Sequence, residues 1–164
     1  MIFIPFLITM EKPKELSTAA NESSTAAKES YCNSRYHFCV EFDPSILPMH
    51  EVSDNNDGII LYSNNKDISV TISGSLDILD TDTKRLYEDF IGEWMINNQD
   101  GRILYEVIKP QYYEVSFIDQ DYQYYQKLYT RGDYQLIYQI EVPIDQQTEI
   151  DAIKNSLDIS FELE

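Results

Sequence analysis

The stretch from Arg102 to Pro143 most constrains what this chain can fold into. Along four segments, RILYEVIKP, QYYEVSFIDQ, DYQYYQKLYTR and GDYQLIYQIEVP, apolar and aromatic residues alternate with polar ones. That period of two is the mark of strands with one buried face. In the last segment Tyr134, Leu136, Tyr138, Ile140 and Val142 share one side, and Gln135, Gln139 and Glu141 the other. The third segment sets Tyr122, Tyr124 and Leu128 against Tyr125, Lys127 and Tyr129, so both of its faces carry tyrosine. One face on the core and the other partly wet is the expected arrangement. Pro110-Gln111, Asp119-Gln120-Asp121 and Arg131-Gly132-Asp133 supply the turns. Connections this short make sequential strands antiparallel neighbours. Nine of the thirteen tyrosines lie in this meander. They read first as cross-strand packing. The second reading is an aromatic docking face, for which Tyr125 and Tyr129 are the candidates.

The rest of the chain supplies helices and a second group of strands. Residues 1–10, MIFIPFLITM, are apolar but fall short of the roughly 20 residues a membrane span needs. They have the length of a signal-peptide core without its basic flank, so a signal remnant is expected. Residues 11–30 have linker composition. One α+β domain is expected over 31–164. It opens with Tyr36, Phe38, Val40 and Phe42 on one strand face and Arg35, His37, Cys39 and Glu41 on the other. The segment Ser45–Val52 reads as irregular, and GIILYS and DISVTIS read as strands. A helix capped within Asp80–Thr83 then carries the stripe Leu86, Tyr87, Phe90, Ile91, Trp94 and Met95, with Trp94 as its central buried residue. A second helix is predicted over 148–157. Thr148 and Asp151 stand there in capping-box spacing, and Ile150, Ile153 and Leu157 face inward. Ser160-Phe161 pins the chain end to the core.

Charge narrows the partners. Twelve basic residues stand against twenty-nine acidic ones, a net −17. The acidity lies mainly outside the meander. Nucleic acid and anionic membrane surfaces need Lys/Arg clusters, so neither suits this chain. A basic protein or a cation is what such a field attracts.

Several stretches resemble the PsbP-like superfamily, in its exported bacterial branch. Asn33-Ser34-Arg35-Tyr36-His37-Phe38 followed by Phe42-Asp43-Pro44 is similar to its "N-x-R-Y-x-F … Y-P". The turn Ser53–Gly58, the pair Tyr124-Tyr125-Gln126-Lys127 and Arg131-Gly132-Asp133, and the closing Ile153–Phe161 resemble its other landmarks. The likeness covers about residues 31–162 and consists of short motifs. It implies an antiparallel sheet with two helices packed on it, in a sandwich that usually docks on proteins and is not usually an enzyme. No residue carries over the photosystem or nuclear-transport roles of relatives.

Few constellations could carry chemistry. Cys32 and Cys39 are the only cysteines. An extended run between them forbids a disulfide, whereas a hairpin turning at Arg35-Tyr36 permits one, and an oxidising compartment would favour it. His37, Cys39 and Glu41, with Cys32, could ligate zinc or activate a thiol, but they lack standard spacing and an orienting third group. Asp54, Asn56 and Asp57, and Asp77, Asp80 and Asp82, are oxygen clusters of the kind calcium takes. Turn and cap chemistry explains both sets. Arg131-Gly132-Asp133 reads as a tight turn before it reads as an adhesion tripeptide. Nucleophile-elbow, phosphate-loop and zinc-helix motifs are missing, and no cofactor is expected.

The expectation is therefore a non-catalytic binding module of the bacterial cell envelope, exported, with a protein partner of basic character and no membrane span. Its docking residues would come from Tyr125, Tyr129, Asp80 and Asp82. The alternatives are an acidic immunity or inhibitor protein facing a basic toxin or enzyme, and a metal- or thiol-dependent enzyme built on His37 and Cys39.

Overall fold

The computed structural model describes residues 27–161. The apolar run 1–10 and most of the linker lie outside the described residues. The first strand begins at Glu29, two residues before the expected domain start. The elements in order are β1 (Glu29–Asn33), β2 (Phe38–Phe42), β3 (Met49–Val52), β4 (Gly58–Tyr62), β5 (Ser69–Leu76), α1 (Thr83–Asn97), β6 (Arg102–Lys109), β7 (Tyr112–Ile118), β8 (Tyr122–Arg131), β9 (Tyr134–Pro143), α2 (Glu149–Ser156) and β10 (Asp158–Phe161). A single 3-10 turn, Ile144–Gln146, leads into α2.

Two antiparallel sheets result. The larger has seven strands in the order β3-β4-β5-β9-β8-β7-β6, and the smaller has the order β1-β2-β10. The four meander strands lie side by side, as their turns require. β9 also pairs with β5 from Ser69↔Glu141 to Leu76↔Tyr134. That pairing puts β6 at the far edge, so the chain between β5 and β6 must cross the sheet, and α1 makes the crossing.

Both faces of the large sheet's middle strands are covered, where the sequence suggested one, while the edge strands β3 and β6 stay largely exposed and β6 has no buried face. On one face Leu61, Val70, Ile72, Leu136, Ile140 and Val142 are shielded by Phe38, Val40 and Phe42 of the small sheet and by Ile150 and Ile153 of α2. The Tyr36 side chain lies on Gly74, where any Cβ would collide with its ring. On the other face Tyr113, Val115, Phe117 and Leu128 meet α1 through Tyr87, with Phe90 and Trp94 alongside. The third segment carries tyrosine on both faces because both are packed. Gln126, 1% exposed, is tolerated there because its Nε2 donates to the Tyr113 hydroxyl at 2.6 Å. Burial of that hydroxyl pushes the Tyr113 pKa up to about 12.

Helix α1 starts where the Asp/Thr run predicts. Asp82 is the N-cap, and its Oδ1 accepts from the Arg85 backbone N–H at 3.0 Å. Its apolar stripe packs as expected except at two places. Tyr87, 6% exposed, is the deepest aromatic residue, whereas Trp94 is half-buried against Phe117 and Met95 is 40% exposed. Met95 stands about 100° round the helix from Trp94, at the outer edge of the stripe.

Three further expectations are corrected. Tyr36 and His37 belong to a turn, because His37 takes a positive φ of 56° and ends the alternation. Residues 49–52, read as irregular, form β3; all four are exposed, and the pairing comes from β4 rather than from any pattern of their own. The capping box of α2 does not form, since the 3-10 turn delivers Thr148 in a helical conformation and its side chain caps nothing.

Phe117 is 1% exposed and packs on Trp94 at 4.7 Å, Tyr124 at 4.9 Å and Phe90 at 5.6 Å. Phe117→Ala should cost about 3–5 kcal/mol in urea denaturation, and Met95→Ala no more than about 0.5. A Phe117→Ala loss below about 1 kcal/mol would show that α1 does not cover this face. The β1–β2 hairpin aligns Cys32 with Cys39, Cα atoms 4.1 Å apart, and joins them in a disulfide. Removing it by Cys32→Ser/Cys39→Ser should cost about 2–3 kcal/mol, the value for a short closed loop. An unchanged melting curve would mean that the hairpin needs no staple.

Candidate functional site

A cleft of about 810 Å³ opens at one end of the large sheet. Four pieces of chain build it: the β5–α1 loop (residues 77–82), the β6–β7 turn at Pro110-Gln111, the β8–β9 turn at Gly132, and β10 through Ile159 and Phe161. They meet because β5 and β9 are paired, so the loop leaving Leu76 emerges beside the turn entering Tyr134.

The loop is held firmly. The Asp77 backbone N–H donates to the Asp133 carbonyl at 2.8 Å. Its carboxylate accepts from the N–H groups of Leu79 at 3.2 Å and Thr81 at 2.8 Å. Asp80 sits at a positive φ of 49°. Thr83, 3% exposed, donates through its hydroxyl to the Pro110 carbonyl at 2.8 Å, tying the start of α1 to the β6–β7 turn. The Gly132 turn has a positive φ of 58° at its first position, as a type II′ hairpin needs, so Arg131-Gly132-Asp133 is turn chemistry.

Held this way, the loop displays two large apolar side chains to solvent: Ile78 is 84% exposed and Leu79 82%. Beside them Asp80 and Asp82 line the cleft with Asp77, and among the described residues Arg131 is the one cation lining it. Its Nη1 is engaged by the Phe161 carbonyl at 2.7 Å. The aromatic wall is Tyr112 and Tyr129, ring centroids 6.0 Å apart. Lys127 supports it from behind, its Nζ 4.6 Å and 4.8 Å from the two ring centres and 3.3 Å from Glu114. Burial works against the Lys127 ammonium, but hydrogen bonding to Tyr129 and the Glu114 carboxylate outweigh it and raise its pKa above the ordinary lysine value.

Three of the four docking candidates, Tyr129, Asp80 and Asp82, therefore line one cleft. Tyr125 does not belong with them. It is 3% exposed, its hydroxyl accepts from Tyr138 at 3.4 Å, and Lys154 of α2 sits 3.9 Å over its ring. It points to the face that α2 covers and is a core residue. Pattern reading passed over Ile78, Leu79 and Ile159, and took Phe161 only as a pin to the core, which it also packs against. Ile78-Leu79 carried one usable signal, an apolar pair set between aspartates outside any strand or helix period.

The remaining constellations come apart. Both sulfurs of the Cys32/His37/Cys39/Glu41 set are in the disulfide, and His37 turns away to pack edge-on against Tyr134 at 4.9 Å. Neither a thiol nucleophile nor a zinc thiolate is available there. Asp57 accepts from Ser53 Oγ at 2.6 Å and Asn55 Nδ2 at 2.8 Å, while the Asn56 carbonyl accepts from Asn33 at 3.0 Å. Asp54, Asn56 and Asp57 thus serve as a turn. Among the described residues no three His, Cys, Asp or Glu side chains group to hold a metal, and no helix is long and apolar enough to cross a membrane.

No protein-family model matches the chain, and no curated protein does. Among solved structures it is similar to the solution structure of cyanobacterial PsbP (CyanoP) from Synechocystis sp. PCC 6803. The TM-score is 0.59 at 8% identity, over 87% of this chain and 98% of that one. At that identity the likeness is one of fold, and the chain has a PsbP-like α+β fold.

Proposed function

We propose that this chain is a non-catalytic docking module, exported from a bacterial cell, that binds a basic protein through the Asp77–Asp82 loop and the cleft beside it. One observation carries the reading. A loop fastened at Asp77 and Asp82 nevertheless holds Ile78 and Leu79 out in water, next to carboxylates and an aromatic wall. Apolar side chains rimmed by charge and fixed in place mark protein-binding surfaces. The net charge of −17 selects a basic partner and speeds its approach. Export is supported by the disulfide, which an oxidising compartment maintains. A narrower reading, an acidic immunity or inhibitor protein, rests on the same charge, and finding a toxin or basic enzyme as partner would select it.

The test is retention of partners from an extract of the organism that encodes the chain. Ile78→Ser/Leu79→Ser and Asp80→Asn/Asp82→Asn should each lose a partner that the unaltered protein keeps. Asparagine caps a helix as well as aspartate does, so the second variant should melt normally. Retention should also weaken between about 0.01 M and 0.15 M salt, as the screening length falls from about 30 Å to about 8 Å. Equal retention by both variants and at both salts would exclude this surface.

A further inference from the structure

The cleft contains an unpaired strand edge. The small sheet runs β1-β2-β10, and among the described residues nothing pairs with the outer side of β10. Which peptide groups face outward follows from the hairpin. Cys32 and Cys39 lie opposite each other with Cα atoms 4.1 Å apart. Hydrogen-bonded antiparallel pairs stand about 5.5 Å apart and non-hydrogen-bonded pairs about 4.5 Å, so this is a non-hydrogen-bonded pair. The N–H and C=O of Cys39 therefore point away from β1, toward Ser160, its partner on β10. Alternation then turns the N–H and C=O of Ile159 and Phe161 away from β2. The Phe161 carbonyl confirms the direction independently, because it is the one that Arg131 reaches from the far side.

Ile159 and Phe161 both line the cleft, with Tyr129 and Tyr112 and the carboxylates of Asp80 and Asp82 on its other walls. We propose that the partner enters as an extended, basic segment that adds as a strand to the outer edge of β10. The proposal rests on the docking reading above and specifies its mode. The N–H and C=O of Ile159 and the N–H of Phe161 hold the guest backbone by main-chain hydrogen bonds, as in other strand-addition complexes, while the Phe161 carbonyl stays with Arg131. Every second side chain then enters the cleft. A lysine or arginine suits that position: its stem lies along the tyrosine rings and its charge meets the acidic rim. An acidic guest would meet the same carboxylates unpaired and is excluded by them.

The probe is a capped, labelled eight-residue peptide alternating lysine and valine. Its control has the same sequence and charge but is N-methylated at the four central residues, so it cannot pair as a strand. The first should bind the intact protein and slow exchange of the Ile159 and Phe161 amide protons at least about tenfold. The Ser160 amide, already bonded to β2, should not change. The methylated peptide should bind at least about tenfold more weakly, the worth of one or two lost hydrogen bonds. Because the comparison uses one unaltered protein, misfolding cannot produce the difference. Equal binding of both peptides, still lost in Asp80→Asn/Asp82→Asn, would overturn strand addition while leaving docking at the acidic cleft in place. Failure of the unmethylated peptide to bind at about 1 mM, or binding without amide protection, would also overturn it.

Discussion

The pairing of β5 with β9 is the constraint on which the rest of this structure depends. It joins residues distant in sequence, Val70 to Ile140 and Ile72 to Tyr138, and all four of those side chains are core. Once β9 is committed to β5, the meander can extend only the other way, and β6 becomes the opposite edge. The chain must then cross from the middle of the sheet to its rim, and α1 is the crossing. The same pairing sets the β5–α1 loop beside the β8–β9 turn. The cleft is thus a consequence of strand order, and its residues are contributed by segments separated by dozens of positions.

Tyrosine serves several roles because the sheet has two covered faces. Tyr113 and Tyr125 are buried on opposite faces, each with its hydroxyl bonded, to Gln126 and Tyr138. A buried phenol without such a partner would be costly. Tyr112 and Tyr129 lie where the covering layer thins near the cleft, and they stay half-exposed around Lys127. The composition is the same, but the consequence differs with distance from α2 and the small sheet.

Stability and display are separated in this fold. The two cores tolerate little change, whereas the Asp77–Asp82 loop rests on backbone hydrogen bonds and a helix cap and buries almost none of its own side chains. Ile78 and Leu79 lie outside both cores, so their identity does not bear on how the sheet packs.

What the sequence determined by itself was local. The alternation of β7 and β9, the apolar stripe of α1, its Asp82 cap and the Gly132 turn could all be read from spacing, because each depends on residues within a few positions. Tertiary structure decided what depends on distant partners. Tyr125 and Tyr129 stand four apart on one strand face and are equivalent by pattern, yet only Tyr125 is covered by Lys154. Cys32 and Cys39 were compatible with a strand or a hairpin until the register of β1 and β2 paired them. Asp80, Tyr129 and Phe161 share no local signal, and they meet because β5–β9 and β2–β10 pairing brings three loops and an edge together. Periodicity shows which side of a strand is buried. Only the summed packing of the whole chain selects its neighbour, and this site is made of neighbours.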